Sequence, residues 1–470
     1  MIADAPSRAA AAPVPRRRVV SWALWDWGSA AFNAVITTFV FTRWLTSEAF
    51  IEPDVVAAAA AEPDGGPATA AYDAAVAVHS TWLGWGLAAA GLVIALLAPV
   101  AGARSDDTGR RKLWLGVHTG VTVAICAAMF LVRPAPGSLT ENLLLGIALL
   151  AFANVFFELA GVNYNAMLTQ VSTPRNRGQV SGIGWGAGYI GGIVLLLVLF
   201  VGFINPDVGW FGVTGEDGLD IRVSVLLSAV WFAVFAIPVM LSVPEVPPSP
   251  TRQRLGFLGA YRRLVTDVVT LWRDRRSTLT FMIAAAVYRD GLAGVFTFGA
   301  VIASGTFGFS ASEVVVFAIA ANVVAGVSTF VGGHLDDRLG PKRIIIASLV
   351  GLLVAGSAVF VLHDAGRTAF WVFGLLLTVF VGPAQSASRS LLARVSPLGR
   401  ESEMFGLYAT TGRAASFLAP FAFSTLIALG GAQYWGVLGI MLVVGLGLVL
   451  LLRVRVPDHA STATRTSLDR

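Results

Sequence analysis

The sequence predicts an all-α membrane protein of 12 transmembrane helices laid out as two six-helix halves. Three observations carry this. Of 470 residues, 56% are hydrophobic and only 13% charged, whereas soluble domains carry roughly 25% charged residues; so little charge cannot cover a water-facing surface. Apolar stretches near the ~20 residues that cross a bilayer recur along the whole chain. Lys and Arg fall in alternate loops, as orientation in a membrane requires.

Taken in order, helices are expected over 20–44, 79–101, 113–132, 142–168, 180–203 and 222–243, then over 279–303, 311–333, 343–362, 368–393, 404–428 and 433–452. This gives an N-terminal tail (1–19), a first half (20–243), a basic linker (244–278), a second half (279–453) and a C-terminal tail (454–470). The first apolar run is too long for a signal-peptide core and reads as a retained helix. With both ends cytoplasmic, 27 of the 33 Lys and Arg lie inside, while the outer loop 45–78 holds six acids and no Lys or Arg. The linker opens with a Pro-rich run that cannot continue a helix. Its stretch from Leu255 to Trp272 fits either a helix on the inner leaflet surface or a solvated basic linker. Trp22, Trp25, Trp27, Trp82 and Trp85 lie near expected interfaces and read as interfacial anchors.

The halves repeat one another. Gly102-Ala-Arg-Ser-Asp106-Asp107-Thr-Gly109-Arg110-Arg111 is echoed by Gly332-Gly-His-Leu-Asp336-Asp337-Arg-Leu-Gly340-Pro-Lys342-Arg343, at an offset of 230 with one residue inserted. The stretches from Leu168 and from Leu392 align without gaps at an offset of 224. The loop from Gly102 and its echo from Gly332 resemble the signature loop of the major facilitator superfamily. Narrower patches are Trp22-Ala-Leu-Trp-Asp26-Trp, Tyr164-Asn165-Ala166, Tyr288-Arg289-Asp290-Gly291, Gln385-Ser-Ala-Ser-Arg389-Ser390 and Glu401-Ser-Glu403-Met-Phe405-Gly406. Together they resemble the branch of the vacuolar amino-acid effluxers of autophagy and their bacterial relatives. The resemblance implies the major facilitator fold, and loops around Gly102, Asp106, Gly109, Arg110 and Arg111, and around Gly332, Asp336, Gly340, Lys342 and Arg343, that lock one access state rather than touch solute. The acids of both loops are expected in short cytoplasmic turns, with glycines allowing the turns.

A charge in a spanning helix costs at least ~2.5 to 3.5 kcal/mol at the centre, so it is a functional candidate by default. Asp26, Glu158, Arg289, Asp290 and Arg413 qualify. Asp26 shares a helical face with Ser29, Asn33 and Thr37, and Asn154, Glu158, Gly161 and Asn165 form a similar stripe. Asp290 aligns with Asp26 at an offset of 264, which brings Thr297 onto Asn33. The expected pathway for solute or protons is therefore Asp26, Asn33, Glu158, Asn165, Arg289, Asp290, Thr297, Gln385 and Arg413. Arg413 is a planar donor suited to a carboxylate; buried pairing of Arg289 or Arg413 with these acids is the alternative. The run from Gly182 to Gly192 contains Gly-x-x-x-Gly spacings and reads as helix packing.

No phosphate-binding loop, metalloprotease motif or nucleophile elbow is present, which argues against ATP-driven transport and against an enzyme. The single cysteine, Cys126, excludes an intrachain disulfide. No cofactor, metal or nucleic acid is expected; the expected partners are a small-molecule substrate, the lipid bilayer and protons as coupling ion, with the chain a monomer in the cell inner membrane. The leading function is a secondary active transporter of small polar solutes, an exporter of amino acids or related metabolites. A multidrug exporter of the same fold and a membrane sensor without flux are the alternatives.

Overall fold

The computed structural model describes residues 14–62, 66–245 and 276–455, with a few positions between 266 and 273. Most of the expected surface helix from Leu255 to Trp272 and the outer parts of both tails lie outside the described residues.

The first span begins at Arg16, four residues earlier than expected, and is divided. Helix α1 (Arg16–Ala31) passes into a π-helical segment (Phe32–Phe39), and α2 (Phe41–Leu45) follows a break at Val40. A short α3 (Pro53–Ala61) then crosses ground expected to be loop. The second span, α4 (Pro67–Thr108), has 42 residues, roughly 60 Å at 1.5 Å per residue, and overshoots the expected 79–101 at both ends. Helices α5 (Arg111–Ala128), α6 (Leu139–Ala166), the short α7 (Leu168–Val171), α8 (Arg177–Leu199) and α9 (Leu219–Ser242) follow.

The second series is α10 (Arg276–Gly305), α11 (Ala311–Leu339), α12 (Pro341–Val361), α13 (Arg367–Val395), α14 (Glu401–Ala415), α15 (Leu418–Gly430) and α16 (Trp435–Leu452). The expected eleventh span, 404–428, is thus two helices. Pro420 sits in the first turn of α15; it has no N–H for the carbonyl four residues back and its ring crowds that carbonyl, so one continuous helix is disfavoured. Among the described residues eleven helices are long and apolar enough to cross a bilayer. The twelfth segment is the first, whose Asp26, Asn33 and tryptophans leave it less apolar than the other eleven.

Contacts cluster into two units: Met1–Val93 with Arg110–Pro247, and Ile94–Gly109 with Pro248–Arg470. The last third of α4 therefore groups with the second series. In the first unit α1 packs on α8 and α9, and α5 on α6 and α9; in the second, α10 packs on α14 and α16, and α12 on α13 and α16. Counted as spans, these are the same four pairings in each series, the structural counterpart of the repeat in the sequence. The glycine run makes the α1–α8 contact close: a Cβ on Gly191 would press on the Trp27 backbone, and one on Gly192 would touch Ala30 and Ala34. Large apolar side chains such as Trp85, Leu241 and Val354 stay exposed, as a lipid-facing surface requires.

Candidate functional site

In the first unit, Asp26 is half-buried on α1 where Gly188 of α8 comes closest. The buried Ser29 hydroxyl donates to the Asp26 carbonyl at 3.2 Å. Asn33 lies in the π-helical segment with its side chain exposed. Its carbonyl accepts the hydroxyls of Thr37 and Thr38 at 2.8 and 2.7 Å, which occupies an acceptor that the widened turn displaces from its usual backbone register. On α6, Asn154, Glu158, Gly161 and Asn165 are all half-buried while Ala153, Val155, Leu159, Asn163 and Tyr164 are buried. A Cβ on Gly161 would meet nothing within 4 Å, so this polar face borders open space.

Trp22 and Trp25 are not interfacial anchors. They are 0% and 2% exposed, and their rings stack on Tyr164 at 4.6 and 4.2 Å. Their indole N–H groups donate to the Tyr164 carbonyl and the Thr119 hydroxyl, both at 3.1 Å. The two motifs that looked separate, around Trp22 and around Tyr164, form one stacked core joining α1 to α6. A hollow of about 440 Å³ lined by Trp44, Pro53, Pro134, Asp217 and Asp220 holds none of the predicted site residues.

In the second unit, Arg289 and Asp290 are half-buried on α10 and make different contacts. The Asp290 carboxylate accepts the Ala419 N–H at 2.5 Å. That amide belongs to the first turn of α15, whose donors lack intrahelical partners, so Asp290 caps the second half of the divided span. Arg289 instead lies over the Tyr408 ring of α14, 4.3 Å from its centroid. The neighbouring Tyr288 hydroxyl lies 2.6 Å from Ser388 Oγ, which itself donates to the Ala384 carbonyl, so the phenol is the donor. Thr297 is exposed, Arg413 is half-buried, and Gln385 is the one half-buried position in an otherwise buried run over 381–393. Counted from their helix starts at Arg16 and Arg276, Asp26 is ten residues in and Asp290 fourteen; Asp290 lies one turn deeper.

The loop residues divide by role. Asp106 and Asp336 stand in the last turns of α4 and α11 rather than in the turns that follow, and both are buried. Gly109 and Gly340, at φ +67° and +88°, make the turns, a conformation costly to any residue with a Cβ. Gly102 and Gly332 are helical and serve close packing, the first against the Ser402 carbonyl and the second against Pro383. Asp106 Oδ2 accepts the Glu403 N–H at 2.9 Å, capping α14, and the Thr410 hydroxyl donates to the Ala95 carbonyl at 2.9 Å. Asp336 and Asp337 lie 3.6 and 2.8 Å from Arg394 Nη2. Arg110 and Arg343 are exposed, whereas Arg111 is buried. Glu245, just beyond α9, accepts the Lys112 and Leu113 N–H groups at 3.0 and 2.8 Å, and Lys342 Nζ donates to the Val454 carbonyl at 2.6 Å.

Sequence reasoning missed Tyr408, Glu245, Arg394 as an ion-pair partner, and the break at Pro420. Only the last carried a local signal, a proline inside an apolar run.

The family model described as "Vacuole effluxer Atg22 like" matches residues 14–464. The chain belongs to the Atg22-like family. Among relatives of this Atg22-like chain, the MFS-type transporter YxiO of Bacillus subtilis is 24% identical over 94% of this chain and 95% of its own. Autophagy-related protein 22 of Cryptococcus neoformans is 24% identical over 59% of this chain and 53% of that protein. Solved structures share the fold: the Escherichia coli fucose:proton symporter FucP, at TM-score 0.65, 12% identity, 94% of this chain and 98% of that one, and the proton:xylose symporter XylE, at TM-score 0.64, 12% identity and 93% of both. The Atg22-like chain is therefore an all-α, multi-pass membrane protein with the twelve-helix major facilitator fold, and an MFS-type transporter.

Proposed function

We propose that this protein is a secondary active exporter of small polar solutes, amino acids or related metabolites, and that proton movement drives it. In this reading it sits in the cell inner membrane with both termini cytoplasmic, an orientation supported by the 27 of 33 basic residues that then fall on the inner side. The observation that carries the reading is the α6 face from Asn154 to Asn165. Polar groups within a spanning helix stay half-buried beside open space at Gly161, where an apolar packed helix would be the cheaper structure. Asn33, Asn165, Thr297, Gln385 and Arg413 supply hydrogen-bonding groups to the solute, and Asp26 and Glu158 take up and release the coupling proton. The loops around Asp106 and Asp336 hold access states through helix caps and ion pairs, not through solute contacts.

The test is counterflow and gradient-driven flux in proteoliposomes with a panel of labelled amino acids. Glu158→Gln keeps size and polarity but cannot ionise, so gradient-driven flux should be lost while exchange is largely kept. Wild-type flux insensitive to pH gradients and uncouplers would remove the proton; absence of any flux, with lipophilic cations included in the panel, would remove transport.

A further inference from the structure

The geometry points to Arg289 as the group that binds a carboxylate of the solute. Four observations converge on it. Arg289 is a permanently charged side chain in the middle of a spanning helix, and it is half-buried. Among the described residues of its unit no carboxylate lies within ion-pair distance of it; the adjacent Asp290, which simple charge counting would pair with it, is turned to the Ala419 amide. Neighbours one residue apart do not share a helix face, so the two charges diverge. Its partner is Tyr408, through the ring and the phenol; an aromatic ring attracts the cation without neutralising it. Most of the five N–H donors of the guanidinium remain for another acceptor.

The fourth observation is room. Position 412 on α14 is a glycine, and the single heavy atom that a Cβ there would meet within 4 Å is Arg289 Nη1, at 3.7 Å. Open space therefore adjoins the guanidinium where a side chain would otherwise fill it. A planar fork of donors, held on a ring beside a void, matches a planar monoanion, and a carboxylate accepts two parallel hydrogen bonds from it. One uncompensated positive charge suits one negative charge, which favours a carboxylate over a phosphate dianion. This assigns carboxylate recognition to Arg289, where the sequence had suggested Arg413, and it rests on the transport reading above for its physiological meaning.

Binding is measured without flux, by thermal shift and isothermal calorimetry on the purified full chain. The probes are the twenty amino acids, acetate and lactate, glycerol phosphate, and the carboxamide of whichever amino acid binds. The expected result is stabilisation by at least one carboxylate, lost for its carboxamide, and weakened about ten-fold or more in Arg289→Gln, as expected for a charged hydrogen-bonding partner removed. Arg289→Lys should restore only part of the affinity, because a point charge replaces the fork. Gly412→Leu should block binding with the charge intact. Removing an unpaired charge from the membrane should leave the melting temperature of Arg289→Gln unchanged or raised. A strongly lowered melting temperature means that the guanidinium chiefly holds the fold and overturns the assignment, as does a carboxylate bound equally by Arg289→Gln, tight binding of the carboxamide, stabilisation by glycerol phosphate alone, or no carboxylate bound at all. Arg289-dependent binding without flux would leave this assignment standing and sink transport; flux unaffected by Arg289→Gln would do the reverse.

Discussion

The two acid loops share a pattern in sequence and are held in opposite ways. At the end of α11, Asp336 and Asp337 are tied to Arg394 of α13, within one series of helices. At the end of α4, Asp106 caps α14, and the whole segment from Ile94 to Gly109 groups with the second series. The residue aligned with Arg394 at the offset of 224 is Gln170, whose Nε2 is buried and without a hydrogen-bond partner among the described residues. A neutral amide carries no charge to pair with an acid, so the two aligned positions differ in what they offer. The difference teaches that a repeated motif can supply the same acid to different tasks, a helix cap at Asp106 and an ion pair at Asp336 and Asp337. The same asymmetry recurs beside the loops: α5 has its first amides covered by an acid from beyond α9, whereas α12 sends a lysine to a carbonyl beyond α16.

The sharpest way to break the comparison is to remove Arg394. Its side chain is 11% exposed and that of Asp336 is 0% exposed, and breaking a buried pair by deleting one partner typically costs about 3 to 5 kcal/mol, because the other charge is left behind. Arg394→Met should therefore lower the melting temperature strongly, and Asp336→Asn in that background should recover part of the loss. Gln170→Met, the matched change in the first series, should cost less than about 1 kcal/mol, since an unpaired amide is removed. Equal effects at the two positions would mean that the loops are held alike.

What the sequence shows about this molecule follows from the range of the forces involved. Spans were legible because hydropathy is a local sum, and the repeat because two loops keep the same acids and glycines. Caps and breaks were not. Asp290 and Ala419 are 129 positions apart, and no local pattern announces that a carboxylate on one helix completes the first turn of another. Nor does composition distinguish a tryptophan at an interface from one stacked on Tyr164; the α1 aromatics looked like anchors because their partners lie more than 90 residues away. The start of α4 was misplaced because alanine, a strong helix former of modest hydropathy, carries the helix ahead of the apolar run.

The helix division in the second series sharpens the comparison at its next level, since Asp290, the residue that aligns with Asp26, caps the second of the two helices. Loss of an N-cap acceptor costs about 1 kcal/mol, whereas Asn in place of Asp keeps most of the cap. Asp290→Ala should raise hydrogen exchange at Leu418 and Ala419, and Asp290→Asn should leave it near the wild type. If Asn fails as Ala does, the carboxylate charge rather than the cap is what the position requires.

The smallest expected effect lies at the opposite ends of the same paired helices. The start of α4 is covered by Glu62 from upstream, whose carboxylate accepts the Ala68 and Thr69 N–H groups at 2.6 and 3.3 Å. The start of α11 is instead a capping box: the Ser310 hydroxyl accepts the Glu313 N–H, and Glu313 reaches back to the Ser310 N–H at 2.8 Å and is joined by Arg367 at 3.0 Å. The Ser310 N–H and hydroxyl, and then Arg367, hold the Glu313 carboxyl below the ordinary carboxylate value. A carboxyl whose folded value lies below its unfolded value binds its proton less readily when folded, so it contributes stability above the unfolded value and loses it as pH falls through the folded one. Gln keeps the box but carries no charge, so Glu313→Gln isolates that contribution. Its melting temperature should fall slightly below wild type near neutral pH, and the gap should close well below the ordinary carboxylate range. Because Glu313 faces solvent, the gap should also shrink with added salt; a gap that widens on acidification would show that the charge destabilises this helix start.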